Sequence, residues 1–280
     1  FPDVSGKPQQ VIAASGEWSL RFVDLLHFVE GRRQEEWRRI EQETLALPFD
    51  LTQGPLMRGV LARFGPEDHL LLLCVHHIIM DGWSAGVLMR EWCSLYQAGC
   101  AGTRASLNAL PLQPADIALW ERRRMSEASY QQDMAYWTQQ LPAAPPQLDL
   151  PLDRPKPARR RYQGATYTRV LPRDLIAALQ ASSVEQGVTR FMIVLTALFS
   201  LLSRYTGQTD IVVGSTAANR QWMEAEPLIG MFVNILALRV DLTGDPTLSA
   251  LLQQVRRLTL EAYDHQSASF NHIVEALHLG

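Results

Sequence analysis

The densest group of chemically able side chains in the sequence is His76-His77-Ile78-Ile79-Met80-Asp81-Gly82. Histidine titrates nearest neutrality of all side chains, so the stretch suits general acid–base work. It closes an apolar run from His69 to His77 that is predicted to be a strand. Side chains alternate along a strand, so His77 is expected to share a face with Val75 and Leu73, and His76 with Cys74 and Leu72. The two imidazoles then cannot easily work as a pair: one can face a cavity while the other is locked in the core. Asp81 lies past the strand end, and a buried carboxylate there needs a basic partner. Gly82 allows close backbone approach, and its N–H would lie near a helix N-terminus, where an oxyanion or polar substrate group is well received. On these residues alone, a core histidine beside a helix-capping aspartate stays open as the rival reading. A zinc site is disfavoured, because neighbouring strand residues point apart and no HExxH or cysteine cluster supplies further ligands, so no metal is expected. GxGxxG, GxxxxGK[ST] and GxSxG are absent, which removes support for the usual phosphate loops and for a hydrolase elbow.

The elements that must position these residues follow from local signals. Glu30 to Ala46 is highly charged and reads as an exposed helix. Gly54-Pro55 opens a strand from Leu56 to Phe64, Gly65-Pro66-Glu67-Asp68 is a turn, and the strand ending in the two histidines completes a hairpin. Asp81-Gly82-Trp83-Ser84 starts a helix in which Leu88, Trp92, Leu95 and Tyr96 fall at helical spacing. Asp116 to Leu141 reads as one or two helices, with Arg122-Arg123-Arg124 as a solvated face. Pro142 to Arg161 carries six prolines, too many for a helix or central strand, and a lobe boundary is placed there: 1–150 a first lobe, 151–165 a linker, 166–280 a second lobe. In the second lobe the expected elements are a strand Thr166–Leu171, helices Arg173–Gln186 and Arg190–Tyr205, a strand Asp210–Ser215, a strand-like run Gly230–Leu242, and a helix from Pro246-Thr247 to about His265. Strands and helices mix in both lobes, so the fold class is α/β or α+β.

Length and composition agree with this. The chain has 280 residues, 47% hydrophobic and 20% charged, which excludes disordered and fibrous classes. The net charge of −3 argues against a nucleic-acid binder. Three cysteines, Cys74, Cys93 and Cys100, form no CxxC pair and fit a reducing cytosol better than a disulfide framework. The longest apolar run, Phe191 to Leu202, is shorter than the about 20 residues that cross a bilayer and reads as a buried helix. No membrane partner and no signal peptide are expected. The chain begins at Phe1 and ends inside an expected helix, so both ends are expected to be cut.

His76 to Ser84 resembles the HHxxxDGWS signature of condensation domains of nonribosomal peptide synthetases. Flanking segments strengthen the resemblance along the whole chain. Pro48-Phe49-Asp50-Leu51 with Gly54-Pro55-Leu56 and Arg58 is similar to PFDL…GPLxR, and Ala115 to Trp120 to YxDFAxWQ. Tyr136-Trp137 and Leu150 to Pro155 match the usual inter-lobe stretch, and Tyr205 to Gly214 with Ala218-Asn219-Arg220 match the second lobe. Ile229 to Asn234 with Leu238-Arg239 matches IGxFVNxxxLR. Pro114 and Glu121 depart from the third of these motifs, and His265 to Val274 keeps HQDYPFEQLV only in part. The family's first two motifs would precede Phe1 and its last would follow Gly280.

The resemblance implies a chloramphenicol acetyltransferase-like fold, two lobes in a V around a tunnel. It implies an acyltransferase joining a donor acyl or peptidyl thioester to an acceptor aminoacyl thioester. Both would be presented by peptidyl carrier proteins on 4′-phosphopantetheine arms, beside an adenylation domain, in bacterial cytoplasm and with no cofactor of the domain's own. It makes His77 and Gly82 catalytic, His76 a packed core residue, and Asp81 the architectural partner of an arginine in the preceding motif. Trp83 and Ser84 become motif residues, and Asn234 and Arg239 structural or tunnel-lining. The Trp83-Ser84 continuation with Arg90-Glu91 resembles the subtype that takes an L-configured donor. A free-standing ester-forming acyltransferase and a non-catalytic recruitment domain of the same fold are the alternatives.

Overall fold

The computed structural model describes residues 1–13, 18–141, 147–155 and 164–278. A short ladder, β1 (Asp3–Val4) with β2 (Lys7–Pro8), precedes the first sheet. In that sheet β3 (Leu20–Asp24) runs parallel to β4 (Met57–Arg63), and α1 (Glu30–Ala46) is the crossover that a parallel pair requires. The helix has the expected bounds but is not wholly exposed: Trp37, Ile40 and Thr44 recur at helical spacing and turn inward, where Trp37 and Ile40 pack with Leu25, Val60 and Ala62. The expected hairpin forms between β4 and β5 (His69–Val75), in unbroken antiparallel register from Met57↔Val75 to Arg63↔His69. Its turn is closed by Phe64 N–H donating to Asp68 O at 2.8 Å.

Helix α2 (Gly82–Cys100) follows, with Ser84 and Val87 as its buried positions. The Leu95–Tyr96 pair that spacing placed on an apolar stripe is exposed instead. Then come α3 (Pro114–Arg124) and α4 (Ala128–Gln140), the two helices expected from Asp116 to Leu141. Proline at the first position of α3 suits a helix start, where no amide hydrogen bond is lost.

The remaining elements are α5 (Arg173–Glu185), α6 (Arg190–Thr206), β6 (Asp210–Ala217), β7 (Asn234–Asp241), α7 (Leu248–Asp264) and α8 (Phe270–Ala276). Strands β6 and β7 pair antiparallel from Asp210↔Asp241 to Ala217↔Asn234. Helix α6 starts where Thr189 accepts a hydrogen bond from Met192 N and stops at Gly207, whose φ of 71° closes the helix in the left-handed region. It is rich in apolar residues, yet only Met192, Leu195, Thr196 and Phe199 are buried; Phe191 and Val194 are exposed. With Ile211, Leu238, Val240, Val255 and Trp137 the buried face forms the larger of the two cores.

Two expectations are corrected. Thr166–Leu171 is not a strand: no described strand pairs with it, and Tyr167 and Val170 are 87% and 89% exposed. A β-rich composition without a pairing partner does not make a strand. Contacts also divide the chain elsewhere than at 151–165. One unit is Phe1–Pro114 with Trp222–Phe232, the other Ala115–Gln221 with Val233–Gly280. Helix α4, read as first-lobe, contributes Trp137 (1% exposed) to the second unit's core. Residues 142–146 of the proline-rich stretch and 156–163 of the expected linker lie outside the described residues. No single helix is long and apolar enough to cross a membrane.

Candidate active site

Strand β5 delivers the histidines but ends before them. His76 N–H still donates to Leu56 O at 3.0 Å, continuing the hairpin. The His76 ring then stops the strand: its Nδ1 accepts from Ile78 N–H at 3.1 Å and caps a 3₁₀ turn over His77–Ile79. The expected alternation of the two histidines across a strand is therefore corrected. An imidazole Nδ1 that accepts must carry its proton on Nε2, so His76 is committed to one tautomer by the backbone. Its ring also meets the Phe49 ring edge-to-face, centroids 5.9 Å apart at 86°. His76 is half-buried rather than fully in the core. His77 is exposed, and among the described residues its imidazole has no hydrogen-bond or ion-pair partner.

Asp81 is buried, at 4% exposure, and is the N-cap of α2. Its carboxylate accepts a set of hydrogen bonds. Oδ1 accepts from Ser84 N–H at 2.8 Å and from Ser84 Oγ at 2.7 Å, and Oδ2 accepts from Phe232 N–H at 3.0 Å. Asp81 N–H donates to Gly230 O at 3.1 Å, and Gly230 N–H donates to Ser84 Oγ at 3.0 Å. Ser84 Oγ also lies 2.8 Å from Gly230 O; its single proton goes to the carboxylate, the stronger acceptor. Trp83 Nε1–H donates to Glu226 O at 2.9 Å. Residues 81–84 thus grip the 222–232 segment of the same unit, and Ser84 and Trp83 are its fasteners. Gly82 opens α2, is exposed, and a methyl group added there would meet nothing within 4 Å. As the first helical residue its N–H has no intrahelical acceptor and points a partial positive charge outward.

Asn234 and Arg239 fall in the second unit and are engaged there. Asn234 Nδ2 donates to Gln266 O and Ala268 O at 2.8 and 2.6 Å, and its Oδ1 accepts from Phe270 N–H at 3.1 Å. Arg239 forks onto Asp210, Nε–Oδ1 2.8 Å and Nη2–Oδ2 2.9 Å, and donates from Nη1 to Gln140 O. Asn234 therefore ties β7 to the α7–α8 turn, and Arg239 ties it to β6 and the end of α4. Of the arginine run, Arg124 is not solvated: it pairs with Asp133 at 3.3 Å and lies over the Trp120 ring. Asp133 in turn holds His265 Nδ1 at 2.9 Å, a partly buried contact that no single stretch of sequence announces. Gly230 and Phe232 were visible as motif residues, but their grip on Asp81 spans about 150 positions and has no local signal. Among the described residues no three His, Cys, Asp or Glu side chains converge as metal ligands.

The described residues thus form a mixed α/β chain in which the exposed His77 precedes the N-terminus of α2 by five positions in sequence. The sequence model described as Condensation domain matches residues 2–280, and the chain belongs to that family. It is 44% identical over 279 residues to one of the proteins that make up the linear gramicidin synthase of Brevibacillus parabrevis, covering 100% of this chain and 4% of that protein. It is 41% identical over 278 residues to malpinin synthetase of Mortierella alpina, covering 99% of this chain and 4% of that one. Fungal relatives thus stand beside bacterial ones, and the expected bacterial source is not distinguished. The X-domain from teicoplanin biosynthesis matches with TM-score 0.81 at 28% identity, over 95% of this chain and 58% of that chain. The same X-domain in complex with OxyB matches with TM-score 0.78 over 95% of this chain and 57% of that chain.

Proposed function

We propose that this chain forms amide bonds in a nonribosomal peptide synthetase. The acceptor amine nitrogen attacks the donor thioester carbonyl, the C–S bond breaks, the donor carrier leaves as a thiol, and the product stays on the acceptor carrier. The two carriers, their phosphopantetheine arms and a neighbouring adenylation domain are the partners, and the reaction takes place in the cytoplasm. The single observation that supports this most is the division of labour between the two histidines. His76 is spent on the backbone, whereas the His77 imidazole is exposed, and a few positions on in sequence the Gly82 N–H at the start of α2 has no intrahelical acceptor. A free imidazole can hydrogen-bond the attacking nitrogen and take up its proton, and a helix N-terminal N–H can hold a polar group of the substrate arm. Asp81, Ser84 and Trp83 keep that helix start in place. The Arg90-Glu91 resemblance supports an L-configured donor.

The X-domain likeness favours one second reading, a recruitment domain without chemistry. One assay separates the readings. The natural protein containing this chain is given donor and acceptor carriers loaded with an L- or D-aminoacyl donor and an amine or hydroxyl acceptor, and the products are read by intact-protein mass spectrometry. Amide on the acceptor carrier, faster from the L-donor, is expected. An ester-only product or no transfer overturns the proposal, and equal use of the D-donor overturns the subtype.

A further inference from the structure

We infer that Phe49 and Arg58 are positioning residues for His77, acting through the ring of His76. The inference rests on the catalytic reading of His77 given above. Neither residue touches His77. Each is half-buried, and together with His76 they form a stack that runs from the end of α1 to the turn carrying His77.

The stack is built as follows. Arg58 sits in β4 opposite Cys74 of β5, so its side chain shares a sheet face with Cys74 and, two residues on in extended backbone, with His76. Its guanidinium carbon lies 3.8 Å over the centre of the Phe49 ring. The same guanidinium is fixed in plane by backbone carbonyls at the end of α1: Nη1 donates to Leu47 O at 2.6 Å and reaches Thr44 O at 3.5 Å, and Nη2 donates to Pro48 O. A cation there also complements the carbonyl end of the helix. Phe49 is thus held on one face by a clamped cation, and it meets the His76 ring edge-to-face. In the rotamer it adopts, His76 Nδ1 reaches Ile78 N–H. If the ring turns away, that hydrogen bond is lost, the 3₁₀ turn has no cap, and the residue in the middle of the consequence is His77.

A flexible lysine cannot reproduce the planar fork of Arg58, and an aliphatic side chain cannot reproduce the ring contacts of Phe49. A displaced catalytic group loses rate out of proportion to the stability it loses. The test compares Phe49→Leu, Phe49→Tyr, Arg58→Lys and His77→Ala, with the double variant Phe49→Leu/His77→Ala, in the natural protein containing this chain. Single-turnover amide formation with loaded carriers gives the rate, its dependence on carrier concentration gives the apparent affinity, and thermal unfolding gives stability. Phe49→Leu and Arg58→Lys should each slow the chemical step roughly 10- to 100-fold with unchanged carrier affinity. Phe49→Tyr, which keeps the ring, should restore the parent rate. In the His77→Ala background Phe49→Leu should cost nothing further, because residues acting as one unit are non-additive. A Phe49→Leu protein at the parent rate, or one whose loss multiplies with that of His77→Ala, overturns the positioning role while leaving His77 catalytic. A His77→Ala protein at the parent rate overturns the underlying reading instead.

Discussion

The Asp81 carboxylate accepts from the N–H and hydroxyl of Ser84 and from the N–H of Phe232. Replacing it by Ala removes the cap of α2 and leaves a buried N–H at Phe232 without that acceptor. The expected cost is about 2–4 kcal/mol, combining a lost N-cap with an unsatisfied buried donor. Asp81→Asn, which keeps one acceptor oxygen, should lose less. Denaturant unfolding of both variants checks this; full stability in Asp81→Ala together with lost activity would make Asp81 a chemical rather than an architectural group. At this scale residue types are legible in the sequence but their bonds are not. That Asp81 caps a helix was legible from Asp81-Gly82-Trp83-Ser84. That His76 would cap its own turn and end the strand two residues early was not, because alternation assumes the strand continues.

The 222–232 segment is the element on which the site's helix start depends, and it is tightly packed at Gly230. A Cβ there would fall 2.7 Å from Phe232 Cε2 and 3.3 Å from Pro114 Cγ. Gly230→Ala should therefore push the Phe232 ring aside and cost about 1–3 kcal/mol, with Phe232 N–H moved from Asp81. A melting temperature equal to the parent's would show that the ring has room. In the second unit, Phe199 is fully buried on α6, and Phe199→Ala should cost about 3–5 kcal/mol in denaturant unfolding. A loss under about 1 kcal/mol would mean that the core collapses around the gap. Helix α1, the hairpin and α6 were legible because their caps, turns and periodicities are local. Thr166–Leu171 was misread because strand formation depends on a partner, and Leu95 and Tyr96 because spacing alone does not say which stripe of α2 is covered.

Across the molecule, the division into units follows contacts that close over long stretches of chain. Ser84 to Gly230 and Trp137 Nε1 to His265 O at 2.9 Å are such contacts, and the proline content of 142–161 carries no information about them. The second unit also sets an alkaline limit on stability. Burial, with the carboxylates of Glu261 and Asp264 nearby, pushes the Tyr136 hydroxyl up to about 12. An unfolded tyrosine ionises near about 10. The folded state therefore keeps its proton over a range where the unfolded state gives it up. The stabilisation from a neutral Tyr136 is whole below pH about 10 and falls away as pH rises from there towards about 12. Unfolding midpoints should drop in that window, and Tyr136→Phe should flatten the drop; an identical slope in both proteins would contradict the assignment.

The most direct measurement on the whole account is single-turnover amide formation by His77→Ala in the natural protein that contains this chain. Both carriers are loaded, and folding is verified by the same unfolding transition as the parent. The His77 side chain is exposed and its imidazole makes no hydrogen bond among the described residues, so its removal leaves the turn capped by His76. The predicted result is a folded protein slower by roughly 10²–10⁴-fold, the usual range for a group handling a proton at the reacting atom. A folded His77→Ala protein that forms the amide at the parent rate would contradict the account.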